Sequence, residues 1–331
     1  MVETVPLTIA CTDTDRTRAM IDGTVPIEGC RPTFLSLEPA EIFFRALRFE
    51  EFDVAELSLS SYLRTMEDGE SPYVGIPVFL SRVFRHSSIY IRTDRGIRTP
   101  ADLRGKRIGV AEYQMTAPVW MRALLEHEYG VSPREVRWMT GGQEQSGRAE
   151  RTALDAIPGV IIEPIGPGKT LSAMLAAGEI DALLAARTPS CFTRHAAHVD
   201  RLFPDYKRIE MAYFKKTRMF PIMHLVGIRR SLVRQYPWLP ASLYKAFCET
   251  KDDALKRLHQ VRFQPISLPW IEPEVADVSA LMGEDYWKYG AEENRAELAA
   301  FIGYSREQGL TKRHIEVDEL FAPSTMETSK V

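Results

Sequence analysis

Short apolar runs alternate along the chain with segments whose apolar residues recur at helical spacing. The apolar runs predict strands at 6–11, 53–59, 107–111, 136–139, 160–163 and 182–185. The helical spacing predicts helices that include 38–49, 60–67, 116–129 and 170–177. Strands that are separated by helices are typical of parallel sheets built from βαβ units. The pattern therefore predicts an α/β protein.

Two longer extended stretches, 74–91 and 219–228, bracket the central part of this pattern, and the chain after them is mainly helical. A chain of 331 residues is too long for one core and indicates two lobes. We expect a discontinuous first lobe, 1–88 with 224–331, and a second lobe at 89–223. Because ligands of open α/β sheets bind at the carboxyl ends of the strands, the expected ligand site is a cleft between the lobes.

The composition of the chain restricts which binding partners and which cellular compartment are expected. The formal net charge is −3 and no long block of like charge occurs, so no nucleic-acid partner is expected. The apolar runs are shorter than the roughly 18 residues that span a bilayer, and the first residues do not resemble a secretory signal. The cysteines lack a C-x-x-C spacing, which favours free thiols in a reducing compartment: Cys11, Cys30, Cys191 and Cys248. We expect a cytoplasmic protein without a membrane partner.

Two apparent motifs do not support a cofactor or a metal. Residues 166–170 resemble the end of a phosphate-binding P-loop, but Glu163 stands where that motif needs glycine. His195 and His198 are three residues apart, but no nearby carboxylate or cysteine completes a ligand set, so a surface helix is favoured. We expect neither an organic cofactor nor a resident metal, and stimulation by a divalent metal stays open.

Longer segments carry a family resemblance. Residues 99–110 and 175–183 resemble the start and the final helix-turn-strand of the second lobe of type II periplasmic binding proteins. A narrower resemblance, to the 4,5-dihydroxyphthalate decarboxylase family, is carried by residues 13–18, 52–62, 82–90, 109–117 and 220–224. Together these resemblances cover nearly the whole chain.

This resemblance implies a two-lobed clamshell, in which each lobe is a mostly parallel sheet flanked by helices, with a helical C-terminal region. It also implies a cytoplasmic enzyme of phthalate catabolism, a carbon–carbon lyase that releases CO2 from 4,5-dihydroxyphthalate and leaves protocatechuate. The fold alone does not decide the function, because many relatives are binding proteins of transporters.

Polar residues at two predicted strand-to-helix turns are candidates for binding a carboxylate of the substrate. The free N–H groups and positive dipole of a helix start attract anions, and hydroxyl groups add further donors. The alternative is that these residues only cap their helices. The candidates are Ser58, Ser60 and Ser61 in the first lobe and Gln114, Met115 and Thr116 in the second.

Arginines near predicted strand ends are further candidates, since a guanidinium group binds a carboxylate through two hydrogen bonds. They are Arg16, Arg82, Arg85 and Arg187. We expect two of the four to contact the ligand, with Arg16 and Arg187 preferred because each follows the carboxyl end of a strand. The alternative for each is an ion pair on the surface or between lobes.

Three residues are candidates for moving protons. His86 and His224 lie on the two extended stretches that cross between lobes, and histidine exchanges a proton near neutral pH. Glu112 follows a strand end and is the third candidate. With the family resemblance, we assign His224 as the acid and His86 or Glu112 as the base, and the reverse assignment stays open. The alternatives are core histidines and an exposed loop carboxylate.

The expected reaction begins at the hydroxyl group para to the departing carboxylate. Loss of its proton moves electrons to the ring carbon that bears this carboxylate, that carbon is protonated, and CO2 leaves. The retained carboxylate should be bound by arginine, and the departing one should lie in dry, apolar surroundings.

The leading alternative to this enzyme function is a non-catalytic binding protein for an aromatic or dicarboxylic acid. Another is a cytoplasmic enzyme such as those of the futalosine route to menaquinone. The accepted ring substituents and a homo-oligomeric state stay open.

Overall fold

The computed structural model describes residues 4–67, 69–148, 150, 154–260, 264 and 266–326. The strands are β1 (Val5–Cys11), β2 (Cys30–Ser36), β3 (Val54–Ser58), β4 (Tyr73–Arg82), β5 (Ile89–Arg92), β6 (Arg107–Val110), β7 (Arg137–Thr140), β8 (Ile161–Pro164), β9 (Ala182–Leu184), β10 (Val199–Arg201) and β11 (Ile222–Arg229). The α-helices are α1 (Asp15–Ile21), α2 (Pro39–Phe49), α3 (Leu59–Thr65), α4 (Thr116–Tyr129), α5 (Leu171–Ala177), α6 (Ser190–Thr193), α7 (Tyr206–Thr217), α8 (Arg230–Gln235), α9 (Leu239–Leu258), α10 (Ile271–Met282) and α11 (Arg295–Glu307).

The first of two compact units consists of Met1–Arg82, Ile222–Ala299 and Ile315–Val331. Its five-stranded sheet has the order β2-β1-β3-β11-β4. β2, β1 and β3 are parallel, and β11 runs antiparallel to both β3 and β4. The carboxyl ends of β1, β3 and β4 therefore share one edge with the start of β11.

The second unit consists of Val83–Pro221 and Ala300–His314. Its six-stranded sheet has the order β10-β5-β9-β6-β7-β8. β9, β6, β7 and β8 are parallel, whereas β5 and β10 are antiparallel to their neighbours. Both sheets are thus mixed, with a parallel part flanked by helices, and the predicted α/β class is confirmed.

The chain passes between the units at positions that differ from the predicted ones. The expected extended stretch 74–91 is interrupted: β4 ends at Arg82, a short 3₁₀-helix forms at His86–Ser88, and β5 joins the other sheet. The crossings lie at 82/83 and 221/222 instead of 88/89 and 223/224. An apolar run predicts extended backbone but does not reveal which sheet each half joins.

The segment Ala300–His314 belongs to the second unit, whereas all of 224–331 was expected in the first lobe. Phe301 packs against Trp120 with ring centroids 5.2 Å apart. The amide of Gln308 accepts a hydrogen bond from Arg122 and donates one to the backbone of Val119. These partners are distant along the chain, so helical periodicity could not identify them.

Many apolar residues of the central strands and of the helices packed on them are buried, because helices and sheets remove each other's apolar side chains from water. In the first sheet the buried residues include Ile9, Val54, Leu57, Leu225 and Ile228. In the second unit they include Ile108, Val110, Leu171, Leu175 and Leu183. No helix within the described residues is long and apolar enough to cross a membrane.

Candidate active site

His224 and Glu56 project from the same face of the first sheet. The register of β3 and β11 pairs Ser58 with His224 and Glu56 with Val226, so Glu56 and His224 are diagonal neighbours. The Nδ1 atom of His224 lies 2.6 Å from Oε1 of Glu56. The Glu56 side chain is buried, whereas the His224 side chain is 18% exposed. A buried carboxylate therefore holds an imidazole ring that reaches the surface of this unit.

Thr12, directly after β1, binds the other oxygen of the same carboxylate. Its backbone N–H and its hydroxyl donate to Oε2 of Glu56 at 2.8 and 2.7 Å. Burial opposes ionisation of Glu56, but the hydrogen bonds and charge of His224, together with the bonds from Thr12, hold its pKa below the usual value. An ionised carboxylate only accepts hydrogen bonds, so Nδ1 of His224 carries the proton that it donates to Glu56. Nε2 is then the nitrogen that can exchange a proton with a ligand.

Arg16, in the first turn of α1, lies at the same edge of the sheet. Its Nη2 donates to the backbone carbonyl of Leu80 at 3.2 Å, and its Nη1 is 2.5 Å from Asp15. Leu80 precedes Ser81, whose register partner across β4 and β11 is His224. The guanidinium also stacks 3.9 Å from the ring centroid of Trp287. The structure thus brings a positive charge to the edge that carries His224.

The serine cluster also lies at this edge, where β3 turns into α3. The Ser58 hydroxyl accepts from the N–H of Ser61 at 3.5 Å and caps the helix. Ser58, Ser60 and Ser61 are all buried. Capping is therefore observed for Ser58, while contact of the three serines with a ligand stays a prediction.

Glu112 lies just after β6 and is buried against an arginine. Nε of Arg148 donates to Oε1 of Glu112 at 2.7 Å, and Nη2 of Arg148 binds the same oxygen. Glu112 is therefore not the exposed loop carboxylate that was the alternative to a catalytic role. The ion pair holds Glu112 as a charge partner for Arg148, which disfavours its predicted role as a base.

The predicted carboxylate cradle of the second unit, Gln114, Met115 and Thr116, lies at the start of α4 as expected. The preceding backbone N–H groups already bind a protein carboxylate, because the N–H groups of Tyr113 and Gln114 donate to Glu150. Burial raises the pKa of Glu150 to about 7, although these hydrogen bonds oppose the increase. An anion of the substrate would have to displace Glu150 to use these donors.

His86 is enclosed by aromatic side chains in the second unit. Its ring centroid lies 5.2, 5.5 and 6.2 Å from those of Phe203, Tyr213 and Tyr129. Burial lowers its pKa to about 4, and its Nδ1 has no hydrogen-bond partner among the residues that the structure describes. These contacts support the alternative of a core histidine. They do not connect His86 with the other predicted proton-transfer residues.

Arg85 lies beside His86 and is also buried. Its Nη1 donates to the carbonyl of Ala186 at 3.3 Å, and burial lowers its pKa to about 10 despite the opposing charge of Glu210. Arg187 is exposed, and its backbone carbonyl accepts from the side chain of Gln143 at 3.1 Å. Contact of Arg85 or Arg187 with a ligand stays a prediction.

Arg82 is buried in the first unit in a network of its own. Its Nη1 forms an ion pair with Glu297 at 3.3 Å, and its Nη2 binds Asn294 and the carbonyl of Lys288. These contacts occupy the guanidinium within the protein, which favours a structural role over the predicted contact with substrate.

The arrangement of the histidines gives little support for a metal-binding site. His195 and His198 do not share a helix face, since both have positive φ angles in the turns after α6. A group of three potential ligands in the described residues, Glu126, His127 and Glu307, is largely exposed, and His127 Nε2 is 2.9 Å from Glu307. Such a contact on the surface is an ordinary hydrogen bond between side chains.

Glu56, Thr12 and Glu150 were not among the site residues predicted from the sequence. A signal for Glu56 was present, because it stands in the middle of an apolar strand, where burying an unpaired carboxylate is costly. Such a residue needs a partner on a neighbouring strand, and His224 was already a candidate. Thr12 and Glu150 carry no comparable local signal.

Comparisons of structure define the class of this protein. The periplasmic aliphatic sulphonate binding protein SsuA from Escherichia coli matches 99% of this chain and 95% of its own, with a TM-score of 0.54 and 14% identity. The desulfurization enzyme DSZB matches 97% of both chains, with a TM-score of 0.50 and 14% identity. The NMT1/THI5 like family matches residues 76–165. The chain therefore has the type II periplasmic-binding-protein-like fold.

Comparisons of sequence identify the family within this fold. A 4,5-dihydroxyphthalate decarboxylase from Comamonas testosteroni is 45% identical over 325 residues, which cover 98% of both chains. A 4,5-dihydroxyphthalate decarboxylase from Pseudomonas putida is 50% identical over 199 residues, which cover 60% of this chain and 77% of that one. The chain belongs to the 4,5-dihydroxyphthalate decarboxylase family.

Proposed function

We propose that this protein is a carbon–carbon lyase that converts 4,5-dihydroxyphthalate to protocatechuate and CO2. The choice of 4,5-dihydroxyphthalate as the substrate follows from the family relationship. The observation that carries the chemistry is the hydrogen bond between buried Glu56 and partly exposed His224, because it fixes a proton-exchanging nitrogen at the carboxyl-end edge of the first sheet.

The difficulty of the reaction explains why a positioned acid is needed. Direct loss of CO2 would leave a pair of electrons on an aryl carbon, which is too unstable. Ionisation of the hydroxyl para to the departing carboxylate places electron density on the carbon that bears it. Protonation there gives a non-aromatic intermediate, and departure of CO2 returns the electrons of the broken bond to the ring. The reaction consumes one proton and needs no oxidant or reductant.

Within this scheme, His224 as an imidazolium donates the proton from Nε2 to the ring carbon. Glu56 keeps the ring oriented and balances its charge while it is protonated. Arg16 is the candidate that holds the retained carboxylate, since its guanidinium lies at the same edge and stacks on Trp287. The departing carboxylate should be held without a strong ion pair, because such a pair would stabilise the ground state.

Some of the broader expectations remain proposals. We infer a cytoplasmic location from the free cysteines and the family relationship. The expected ligand cleft between two lobes and a homo-oligomeric state stay predictions.

The test is direct incubation of the protein with 4,5-dihydroxyphthalate, followed by measurement of CO2 release and of the change in ultraviolet absorbance. We expect turnover by the wild type and a loss of about 10²- to 10⁴-fold in kcat for His224→Gln. Glu41→Gln, an exposed change on α2, is the matched control and should retain activity. Binding of the compound without turnover by the wild type would favour a binding protein. Full activity of His224→Gln would remove His224 from the proposed mechanism.

A further inference from the structure

The carboxylate of Glu56 connects the two strands that flank β3. In the first sheet, β3 lies between β1 and β11. Thr12, directly after β1, donates its backbone N–H and its hydroxyl to Oε2 of Glu56 at 2.8 and 2.7 Å. From β11, Nδ1 of His224 lies 2.6 Å from Oε1. Each carboxylate oxygen therefore binds a different neighbouring strand, and all of these contacts lie within the first unit.

The backbone of Thr12 is itself held by the helix that follows it. The hydroxyl of Thr17, in the first turn of α1, donates to the carbonyl of Thr12 at 2.9 Å and accepts from the N–H of Thr14 at 2.9 Å. Thr17 is fully buried, so these bonds are shielded from competing water. Thr12 is thus held at its carbonyl as well as at its side chain, and it gives the Glu56 carboxylate a fixed orientation.

The charge of Glu56 depends on its donors, because its side chain is only 1% exposed. Burial opposes ionisation, but the bonds from His224 and then those from Thr12 hold the pKa of Glu56 below its usual value. Without the Thr12 hydroxyl, a buried carboxylate would lose one donor, which favours the neutral acid. A neutral acid can donate its own proton to Nδ1 and does not balance an imidazolium ring.

We propose that Thr12 is a positioning residue for the reaction, because its two hydrogen bonds hold the Glu56 carboxylate as the acceptor for Nδ1 of His224. This inference rests on the proposed function, in which Nε2 of His224 protonates the ring carbon. Thr12 acts through Glu56 and His224 and does not need to touch the substrate. Its hydroxyl should therefore matter for kcat and much less for KM.

The same pair of strands contains a matched control. Thr8 of β1 donates its backbone N–H and its hydroxyl to Oδ2 of Asp53 at 2.8 and 2.7 Å. Asp53 directly precedes β3, and its other oxygen pairs with Arg229 at 3.4 Å instead of with a histidine. Loss of the hydroxyl from Thr8 or from Thr12 removes the same type of bond, but only Thr12 is connected to a group that exchanges protons.

Steady-state kinetics with 4,5-dihydroxyphthalate tests the proposal. Thr12→Val keeps the side-chain shape and the backbone N–H but lacks the hydroxyl. We expect it to lower kcat about tenfold or more and to change KM by about twofold or less. Thr12→Ser restores the hydroxyl and should recover most of the loss, whereas Thr8→Val should keep kcat within about twofold of the wild type. Thr12→Ala provides a second variant if a methyl group facing the carboxylate impairs folding.

The protonation of the His224 ring provides a readout that does not require turnover. Protein that carries a nitrogen isotope label in its histidines is measured by NMR at a pH where this ring is neutral. The His224 signals are those that His224→Gln lacks. We expect the wild type and Thr8→Val to carry the proton on Nδ1, and Thr12→Val to lose part of this signal to the form protonated on Nε2.

The outcomes separate the positioning role from the proposed function. Turnover by the wild type with an unchanged kcat in Thr12→Val and Thr12→Ala would overturn the positioning role and leave the decarboxylase proposal standing. Equal losses of kcat in Thr8→Val and Thr12→Val, or unchanged His224 signals in Thr12→Val, would also overturn it. His224 signals that change in Thr12→Val but not in Thr8→Val, without any CO2 release by the wild type, would support control of His224 by Thr12 and contradict the decarboxylase proposal.

Discussion

The imidazole of His224 and the carboxylate of Glu56 are joined by a 2.6 Å contact between Nδ1 and Oε1, while Thr12 donates twice to the other carboxylate oxygen. This arrangement selects the tautomer of His224 and restricts rotation of its ring. Glu56 is therefore expected to act on the reaction through His224, without contacting the substrate.

Replacing Glu56 by glutamine should lower kcat at least about tenfold, because a neutral amide no longer balances the imidazolium or requires the Nδ1–H tautomer. KM should change much less, since Glu56 is buried. Steady-state kinetics with 4,5-dihydroxyphthalate measures both quantities, with Glu41→Gln as the control on the same unit. An unchanged kcat in Glu56→Gln would show that the pair is only structural.

The buried His86 should make the protein less stable in mild acid. Its pKa is about 4 in the folded protein and 6.5 in its ordinary state, so the unfolded chain binds more protons between these values. Stability is therefore unaffected by His86 above about pH 6.5 and falls as the pH drops towards 4. At about 1.4 kcal/mol per pKa unit, the loss amounts to roughly 3 kcal/mol.

Urea unfolding measured from pH 7 to pH 4 checks this prediction, with His86→Phe as the comparison. The aromatic substitution suits the surrounding Phe203, Tyr213 and Tyr129 and removes the titrating group. The free energy of unfolding of this variant should depend less on pH over this range. An equally steep fall in both proteins would mean that other groups cause the acid sensitivity.

Arg82 should matter for stability and not for chemistry. Arg82→Met removes one member of a buried ion pair and leaves Glu297 uncompensated, which typically costs about 3–5 kcal/mol. Thermal unfolding measures this loss. At a temperature where the variant is still folded, its KM for 4,5-dihydroxyphthalate should match that of the wild type. A large increase in KM at unchanged stability would restore Arg82 as a substrate ligand.

Local patterns predicted many elements well. The helix expected at 116–129 is α4, and the strand expected at 182–185 is β9 (Ala182–Leu184). Both are rich in buried apolar residues, whose spacing is a local property. The strand β2 (Cys30–Ser36) was not predicted, because it is an edge strand that is only partly buried, and its pattern of apolar residues is correspondingly weak.

The sequence by itself determined the α/β class, the family and the candidacy of His224, because these depend on local periodicity and on motifs within short segments. Only the tertiary structure decided that His224 binds Glu56, which is 168 residues away, and that the amides before α4 bind Glu150. It also decided that Arg82 pairs with Glu297 inside the first unit. Such partnerships depend on strand order, register and the folding of distant segments onto one another, and no local pattern of residues specifies these.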